Sequence, residues 1–228
     1  MLISIIAPSY NEEELLPSFL KEVTSYLRKS NLAYEIIVVE NGSQDKTLEI
    51  AQKIAKKNKM IRVESLQKAG YGRALIRGLK KARGNFAVIF NIDFWDGRFI
   101  ELAKVDLLGY DIVTGSKNLP GSQDKRPLSR RLITKLFNLF LHIFLGYRGT
   151  DTHGIKVLRK SAISSVLKEC RTNTGIFDSE LLVRAQRKNL KILELPVEIQ
   201  EKREARFGFK RLLETPKDIV KLYLALRD

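Results

Sequence analysis

The sequence predicts an α/β fold with a mostly parallel central sheet, and three observations carry that expectation. Short β-rich apolar runs alternate with helical patterns through the first half of the chain. Some of those runs are apolar at nearly every position, as in strands covered on both faces. Polar, small and acidic residues then collect directly after each run, where open α/β sheets bind their ligands. Strands separated by helices of this length imply βαβ units with right-handed crossovers.

The elements follow in order. Residues 2–7, Leu-Ile-Ser-Ile-Ile-Ala, form a first strand closed by Pro8. Asn11 is a candidate cap for a helix that opens with Glu12, Glu13 and Glu14, which suit a positive helix start. Its apolar stripe is Leu15, Leu16, Phe19, Leu20, Val23, Tyr26 and Leu27, with Pro17 near the first turns, where proline is least harmful. Further strands are read at 34–39, 61–63, 86–90 and 111–116, with helices at 45–58 and 71–83. The second half begins with a long helix at 128–145 and a strand at 154–159. It continues with a helix at 178–189, a strand at 191–199 and an amphipathic helix at 216–227. No repeat, low-complexity tract or linker interrupts this, so residues 1–228 read as one domain, with 1–116 as a ligand-binding half and 117–228 as a specialised second half.

Composition narrows the function. Lys+Arg number 41 against 26 Asp+Glu, a net charge of +15 over 228 residues. That excess points to phosphates: nucleic acid, an anionic membrane surface or a phosphorylated small molecule. Cys170 is the single cysteine, which excludes an intramolecular disulfide framework and fits a reducing compartment. The N-terminus lacks a basic segment and a long apolar core, so it reads as a strand and not a signal peptide. No apolar run reaches the ~18 residues of a spanning helix. The expectation is a soluble, cytoplasmic protein.

The strand-end segments are Pro8-Ser9-Tyr10-Asn11-Glu12, Glu40-Asn41-Gly42-Ser43-Gln44-Asp45-Lys46-Thr47, Gln67-Lys68-Ala69-Gly70-Tyr71-Gly72, Asn91-Ile92-Asp93-Phe94-Trp95-Asp96 and Gly115-Ser116-Lys117. Each alone has a bland reading: Asn-Gly-Ser as a turn, Asn11 and Asp45 as helix caps, Asp96-Gly97 as a turn or cap. Gly70 and Gly72 do not complete a dinucleotide fingerprint, because Leu75 stands where the third glycine belongs. No P-loop and no Gly-x-Ser-x-Gly elbow occurs.

In this order the segments resemble those of family 2 glycosyltransferases of the GT-A fold, whose sheet is Rossmann-like and flanked by helices. The similarity is closer to dolichyl- or polyprenyl-phosphate sugar synthases. It extends through Thr150-Asp151-Thr152-His153-Gly154-Ile155-Lys156, Phe177-Asp178-Ser179-Glu180 and Leu193-Glu194-Leu195-Pro196-Val197, over about 210 residues. The resemblance implies that Pro8, Tyr10, Glu12 and Gly70 hold the nucleotide of a UDP- or GDP-sugar, with Glu40 at its base or ribose. The family's Asp-x-Asp metal motif reads Asn91-Ile92-Asp93 here, an amide replacing the first carboxylate, with Asp96 adding charge nearby. Oxygen ligands favour Mg²⁺ or Mn²⁺. Lys117, where the family has Arg, would hold an acceptor phosphate together with Arg130 and Thr134. The latter two are spaced i, i+4 on one helix face. Arg203 and Lys210 resemble a late basic loop that closes on the donor diphosphate.

The chemistry is consistent with that assignment. A nucleoside diphosphate leaving group needs its charge neutralised, by metal and by fixed cations. A phosphate acceptor is already ionised near neutral pH and requires no general base; the resemblance puts the expected catalysis on Asp93, Lys117 and Arg130. His142 and His153 are not at metal spacing and are assigned no catalysis.

Residues 132–145 contain ten apolar residues of fourteen, with Arg126, Arg130, Arg131 and Arg148 around them. A helix of this kind lies in a membrane interface, packs in a core or forms a dimer contact. The resemblance favours an acceptor lipid along it. From Lys117 to Arg148 there are seven Lys/Arg and one Asp, a cationic cluster better matched to a lipid phosphate than to nucleic acid. Some relatives continue into spanning helices where this chain ends. The expectation is therefore a peripheral enzyme on the cytoplasmic face of a membrane, alone or with a membrane-protein partner. The expected function is inverting sugar transfer from a nucleotide sugar to a polyprenyl or dolichyl phosphate. The alternatives are a soluble glycan or protein acceptor, and a pseudoenzyme with a degenerate metal motif.

Overall fold

The computed structural model describes residues 1–199 and 209–227. In chain order the first half holds β1 (Leu2–Ser9), α1 (Leu16–Lys29), β2 (Ala33–Glu40), α2 (Thr47–Lys57), β3 (Ile61–Ser65), α3 (Tyr71–Lys81), β4 (Phe86–Ile89) and α4 (Gly97–Lys104). The second half holds β5 (Ile112–Ser116), β6 (Gln123–Asp124), α5 (Leu128–Leu145), β7 (Lys156–Arg159), α6 (Lys160–Glu169), α7 (Phe177–Arg187), β8 (Ile192–Pro196), β9 (Glu198–Ile199) and α8 (Phe209–Ala225).

Among the described residues, seven strands form one sheet in the order β3-β2-β1-β4-β7-β5-β8. β1 is parallel to β2 and β4, β2 to β3, and β5 to β8. β7 alone runs antiparallel, between β4 and β5. β6 and β9 make a small parallel pair beside the main sheet.

The period-2 alternation of the strands divides the core in two. Ile3, Ile5 and Ala7 of β1, with Ile36 and Val38 of β2, face Leu16, Phe19, Leu20, Val23 and Leu27 of α1 and Phe99, Ile100 and Ala103 of α4. Ile6, Ile37, Val39, Ala87 and Ile89 face the other way, toward Ala74, Leu75 and Leu79 of α3 and Phe177, Leu181 and Leu182 of α7. Coverage on both faces is why the strands read as continuous apolar runs. α3 lies so close to the sheet that a Cβ on Gly78 would sit 2.5 Å from Ile6 Cγ2 and 3.2 Å from Val39 Cγ2. Gly78→Ala is expected to cost about 1–3 kcal/mol by overpacking, read as a lower denaturant midpoint at unchanged slope.

One expectation is corrected, and the structure adds two helices and a strand direction. Asn11 does not cap α1: it adopts φ 53° and the helix begins at Leu16, so Glu12, Glu13 and Glu14 precede it. α4 and α6, of eight and ten residues, are helices that the sequence pattern does not announce. The 154–159 strand is reversed in the sheet, and that reversal has a use: it carries residues 150–154, which precede β7, to the end of the sheet where β1, β2, β4 and β5 finish.

Candidate active site

The loops at that sheet end are tied together before any ligand arrives. Asn11 N–H donates to Ser43 Oγ (3.1 Å) and Asn11 Oδ1 accepts from Gln44 N–H (2.9 Å). Glu12 N–H donates to Thr47 Oγ1 (2.7 Å), and Glu13 accepts from Lys46 N–H (3.0 Å). Asp45 Oδ1 accepts Thr47 N–H (2.9 Å) from just ahead of α2, whose N-cap is Lys46 with no side-chain bond, so Asp45 closes the turn before the helix and does not occupy the cap itself. Burial works against the Asp45 charge, but its hydrogen bonds to Thr47 and the Glu13 N–H hold its carboxyl below the usual range. Asn41 Oδ1 accepts from Gly70 N–H (2.7 Å), joining the loop after β2 to the start of α3.

Of the expected nucleotide-binding residues, Pro8 is buried within β1, Tyr10 is 42% exposed and Glu12 is buried. Glu40 is also buried, and its two oxygens accept from Ser43 N–H (2.5 Å) and Ser65 Oγ (2.7 Å), so it shapes the loop. Gly70 opens α3. Arg203 lies outside the described residues. Lys210 falls in the first turn of α8, and its side chain is likewise outside them.

Asn91, Ile92 and Asp93 form a tight turn, closed by Phe94 N–H donating to Asn91 O (3.2 Å). Ile92 is anchored in the core, leaving Asn91 and Asp93 half-buried on either side of it. Asp96 is engaged elsewhere. It caps α4 by accepting Arg98 N–H (2.9 Å) and pairs with the Arg98 guanidinium (2.6 Å), so the helix-cap reading describes it better than the metal reading. Trp95 packs edge-on against Tyr26 of α1 and donates to Glu22 (3.2 Å). Among the described residues no cluster of three or more His, Cys, Asp or Glu could cage a metal. The oxygen side chains of Asn91 and Asp93 are of the kind a hard cation such as Mg²⁺ takes, one or two at a time.

The other half of the site is a cavity of about 780 Å³. It brings together Gly70, Lys117, Arg130 and Thr134, four expected residues from α3, the end of β5 and α5. Thr134 Oγ1 donates to Arg130 O one turn earlier (3.0 Å), which places both residues on one face of the helix. Lys117 is not an open point charge. Its side chain is 5% exposed, and its ammonium meets Asp151 Oδ2 at 2.5 Å and the His153 carbonyl. Burial pushes the Lys117 pKa down, partly countered by Asp151. Burial likewise opposes the charge on Asp151, yet the adjacent ammonium holds that carboxyl below its ordinary range. Lys117 also lines a second groove of about 430 Å³, bordered by Asn138 and His142 of α5.

Behind the cavity Glu194 of β8 clamps the segment before β7. It accepts from Thr150 N–H (2.9 Å), Thr150 Oγ1 (2.8 Å) and Asp151 N–H (3.1 Å). Lys156 and Asp178 form a second buried ion pair (3.1 Å). His153 is half-buried with both ring nitrogens engaged, Nε2 on Gly175 O (3.0 Å) and Nδ1 beside Thr152 Oγ1 (3.1 Å). A carbonyl can only accept, so Nε2 carries the proton. Desolvation lowers the His153 pKa, against the opposing pull of Asp178 and Asp151. Asp151 and Glu194 stand in segments that carry the family resemblance, yet no spacing marks either as an anchor. Arg73, Lys217 and Lys221 also line the cavity, from positions that no strand-end motif marks.

α5 presents two faces. Asn138, Leu141 and Leu145 are buried, while Leu128, Leu132, Leu136, Leu139, Ile143 and Phe144 are 52–77% exposed. The packed-core reading therefore holds for one face only.

A sequence profile described as "Glycosyl transferase family 2" matches residues 4–163. The chain is 32% identical to glycosyltransferase AglD of Haloferax volcanii over 92% of its own length, spanning 35% of that relative. It is 28% identical to the dolichyl-phosphate beta-glucosyltransferase ALG5D of Trichomonas vaginalis, covering 99% of this chain and 74% of the relative. The fold superposes with TM-score 0.70 on glucosyl-3-phosphoglycerate synthase from Mycobacterium tuberculosis, solved with Mn²⁺, UDP and glucosyl-3-phosphoglycerate. That match has 21% identity and covers 98% of this chain and 79% of the other.

Proposed function

The chain belongs to glycosyl transferase family 2, and from that premise we propose that it transfers a sugar, with inversion, from a UDP- or GDP-sugar to a polyprenyl or dolichyl phosphate. The observation that carries this reading is the cavity in which Gly70, on the donor side, opens onto Lys117, Arg130 and Thr134. In this reading Pro8, Tyr10, Glu12 and Glu40 shape the nucleotide site. Arg203 and Lys210 act on the donor diphosphate. Asn91 and Asp93 hold Mg²⁺ or Mn²⁺, which when bound neutralises charge on that diphosphate. Arg130 and Thr134 orient the acceptor phosphate from one helix face, while Lys117, fixed and balanced by Asp151, lines the floor beneath it and keeps an N–H donor to offer. The acceptor oxygen is already anionic, so these residues need only hold it in line with the sugar and keep water away. The similarity to the Trichomonas dolichyl-phosphate beta-glucosyltransferase supports the lipid acceptor.

The enzyme works as a peripheral protein on the cytoplasmic face of a membrane. No helix among the described residues is long and apolar enough to cross one. The exposed apolar stripe of α5, with exposed Arg131, Lys135 and Arg148 beside it, supports docking on an anionic surface.

The test is an assay with UDP- and GDP-sugars, Mn²⁺, and anionic vesicles carrying a polyprenyl phosphate. Sugar is expected to enter the lipid fraction and protein to float with the vesicles. Transfer confined to a soluble acceptor, with no flotation, would overturn the lipid reading.

A further inference from the structure

One wall of the cavity lies outside the region that the family profile matches. Residues 4–163 supply α3, the end of β5 and α5. The rest of the lining comes from residues 173–176 and from α8, which contributes Lys217 and Lys221.

α8 is held in place at its carboxyl end. Arg184 Nη2 donates to Ala225 O and Arg187 Nη1 to Leu226 O, both at 2.5 Å. These guanidinium groups satisfy carbonyls that a helix end leaves without partners, and they meet the negative pole of its dipole. Arg184 is itself fixed by Glu180 (2.8 Å), and Leu222 and Leu226 are buried in the core beside α7. The helix is thus anchored one to two turns beyond Lys217 and Lys221, and its position sets theirs.

Lys217 and Lys221 are spaced i, i+4, so their like charges repel along one face. Two other cations of this cavity are already balanced, Lys117 by Asp151 and Arg126 by Asp124. Among the described side chains, which do not include Glu214 one turn before Lys217, no ion pair engages Lys217, Lys221 or Arg73, although Asp218 shares the wall. A cleft whose walls carry an excess of one sign concentrates the opposite charge between them.

We infer that Lys217 and Lys221 bind a phosphate group of a substrate, and so make α8 part of the active site. The identity of that phosphate rests on the glycosyltransferase reading: it is the acceptor monophosphate or the donor diphosphate. The binding of an oxyanion does not depend on that reading.

The test uses the full chain with Lys217→Ala and Lys221→Ala combined, both residues being exposed and outside the core. Calorimetry with inorganic pyrophosphate is expected to show about tenfold weaker binding, the loss of roughly one charge-assisted contact, with unfolding temperature unchanged. A Lys217→Arg/Lys221→Arg protein should restore it. In kinetics, a higher KM for the lipid phosphate alone assigns the pair to the acceptor, and a higher KM for the nucleotide sugar alone assigns it to the donor. Unaltered pyrophosphate affinity and unaltered KM for both substrates would make these ordinary solvated lysines and overturn the inference. If the wild type transferred no sugar at all, the pyrophosphate arm would still decide it.

Discussion

Replacing Asp151 by alanine is expected to destabilise the protein by about 3–5 kcal/mol, the usual cost of leaving a buried charge without its partner. The carboxylate is 1% exposed and does three jobs: it accepts from the Lys117 ammonium (2.5 Å), from Lys117 N–H (3.2 Å) and from His153 N–H (3.1 Å). Alanine leaves the ammonium buried at the end of β5 with only a carbonyl to meet it. Denaturant unfolding checks the magnitude. A Lys117→Met/Asp151→Leu protein should recover most of the lost stability, because both charges leave together, while acceptor use stays impaired. The pair also sets a pH dependence. The Asp151 carboxyl is held below its unfolded value. Its contribution is therefore fully present above that value, near pH 4, and is lost as pH falls through the lower folded value. Asp151→Asn should flatten that acid limb. If the single Asp151→Ala change cost less than about 1 kcal/mol, the pair would not be holding this corner of the site.

The contrast between Lys117 and α5 shows what could be read from sequence. α5 spans residues 128–145 as expected, because its helical signal is local and its ends are marked by Pro127 and by Gly146 in a left-handed turn. The partner of Lys117 stands 34 residues away, on a segment delivered by a strand that runs backwards through the sheet. No spacing rule announces that. Asn11 failed for the same reason. Beside three glutamates it looked like a cap, but its bonds go 32 and 33 residues along the chain, to Ser43 and Gln44. α4, only eight residues long, was hidden behind the Asp96-Gly97 pair that caps it. The segments around Asp151, Glu180 and Glu194 were conspicuous as patterns. Their work as acceptors that gather backbone N–H groups from neighbouring loops became visible only in three dimensions.

The two aspartates that follow β4 provide the sharpest functional contrast. Asp93→Ala is expected to lower kcat/KM by about 1,000-fold, an effect of about 4 kcal/mol and in the range that metal-held charge stabilisation supplies. Asp96→Ala removes a helix cap and the Arg98 ion pair. It should cost about 1 kcal/mol of stability with activity nearly retained. Asn91→Asp would restore a second carboxylate, and a charged oxygen binds a hard cation more tightly than an amide oxygen. That protein should need less Mn²⁺ for half-maximal activity. A binding measurement separates these claims from turnover. With UDP present, Mn²⁺ should raise the unfolding temperature of the wild type and the Asp96→Ala protein through preferential binding to the native state. The Asp93→Ala protein should show little of that rise, and Asn91→Asp should reach it at lower Mn²⁺. Equal stabilisation of the Asp93→Ala and wild-type proteins would remove Asp93 from the metal site. A large loss in Asp96→Ala instead would mean that the cap is exchanged for a ligand when substrate binds.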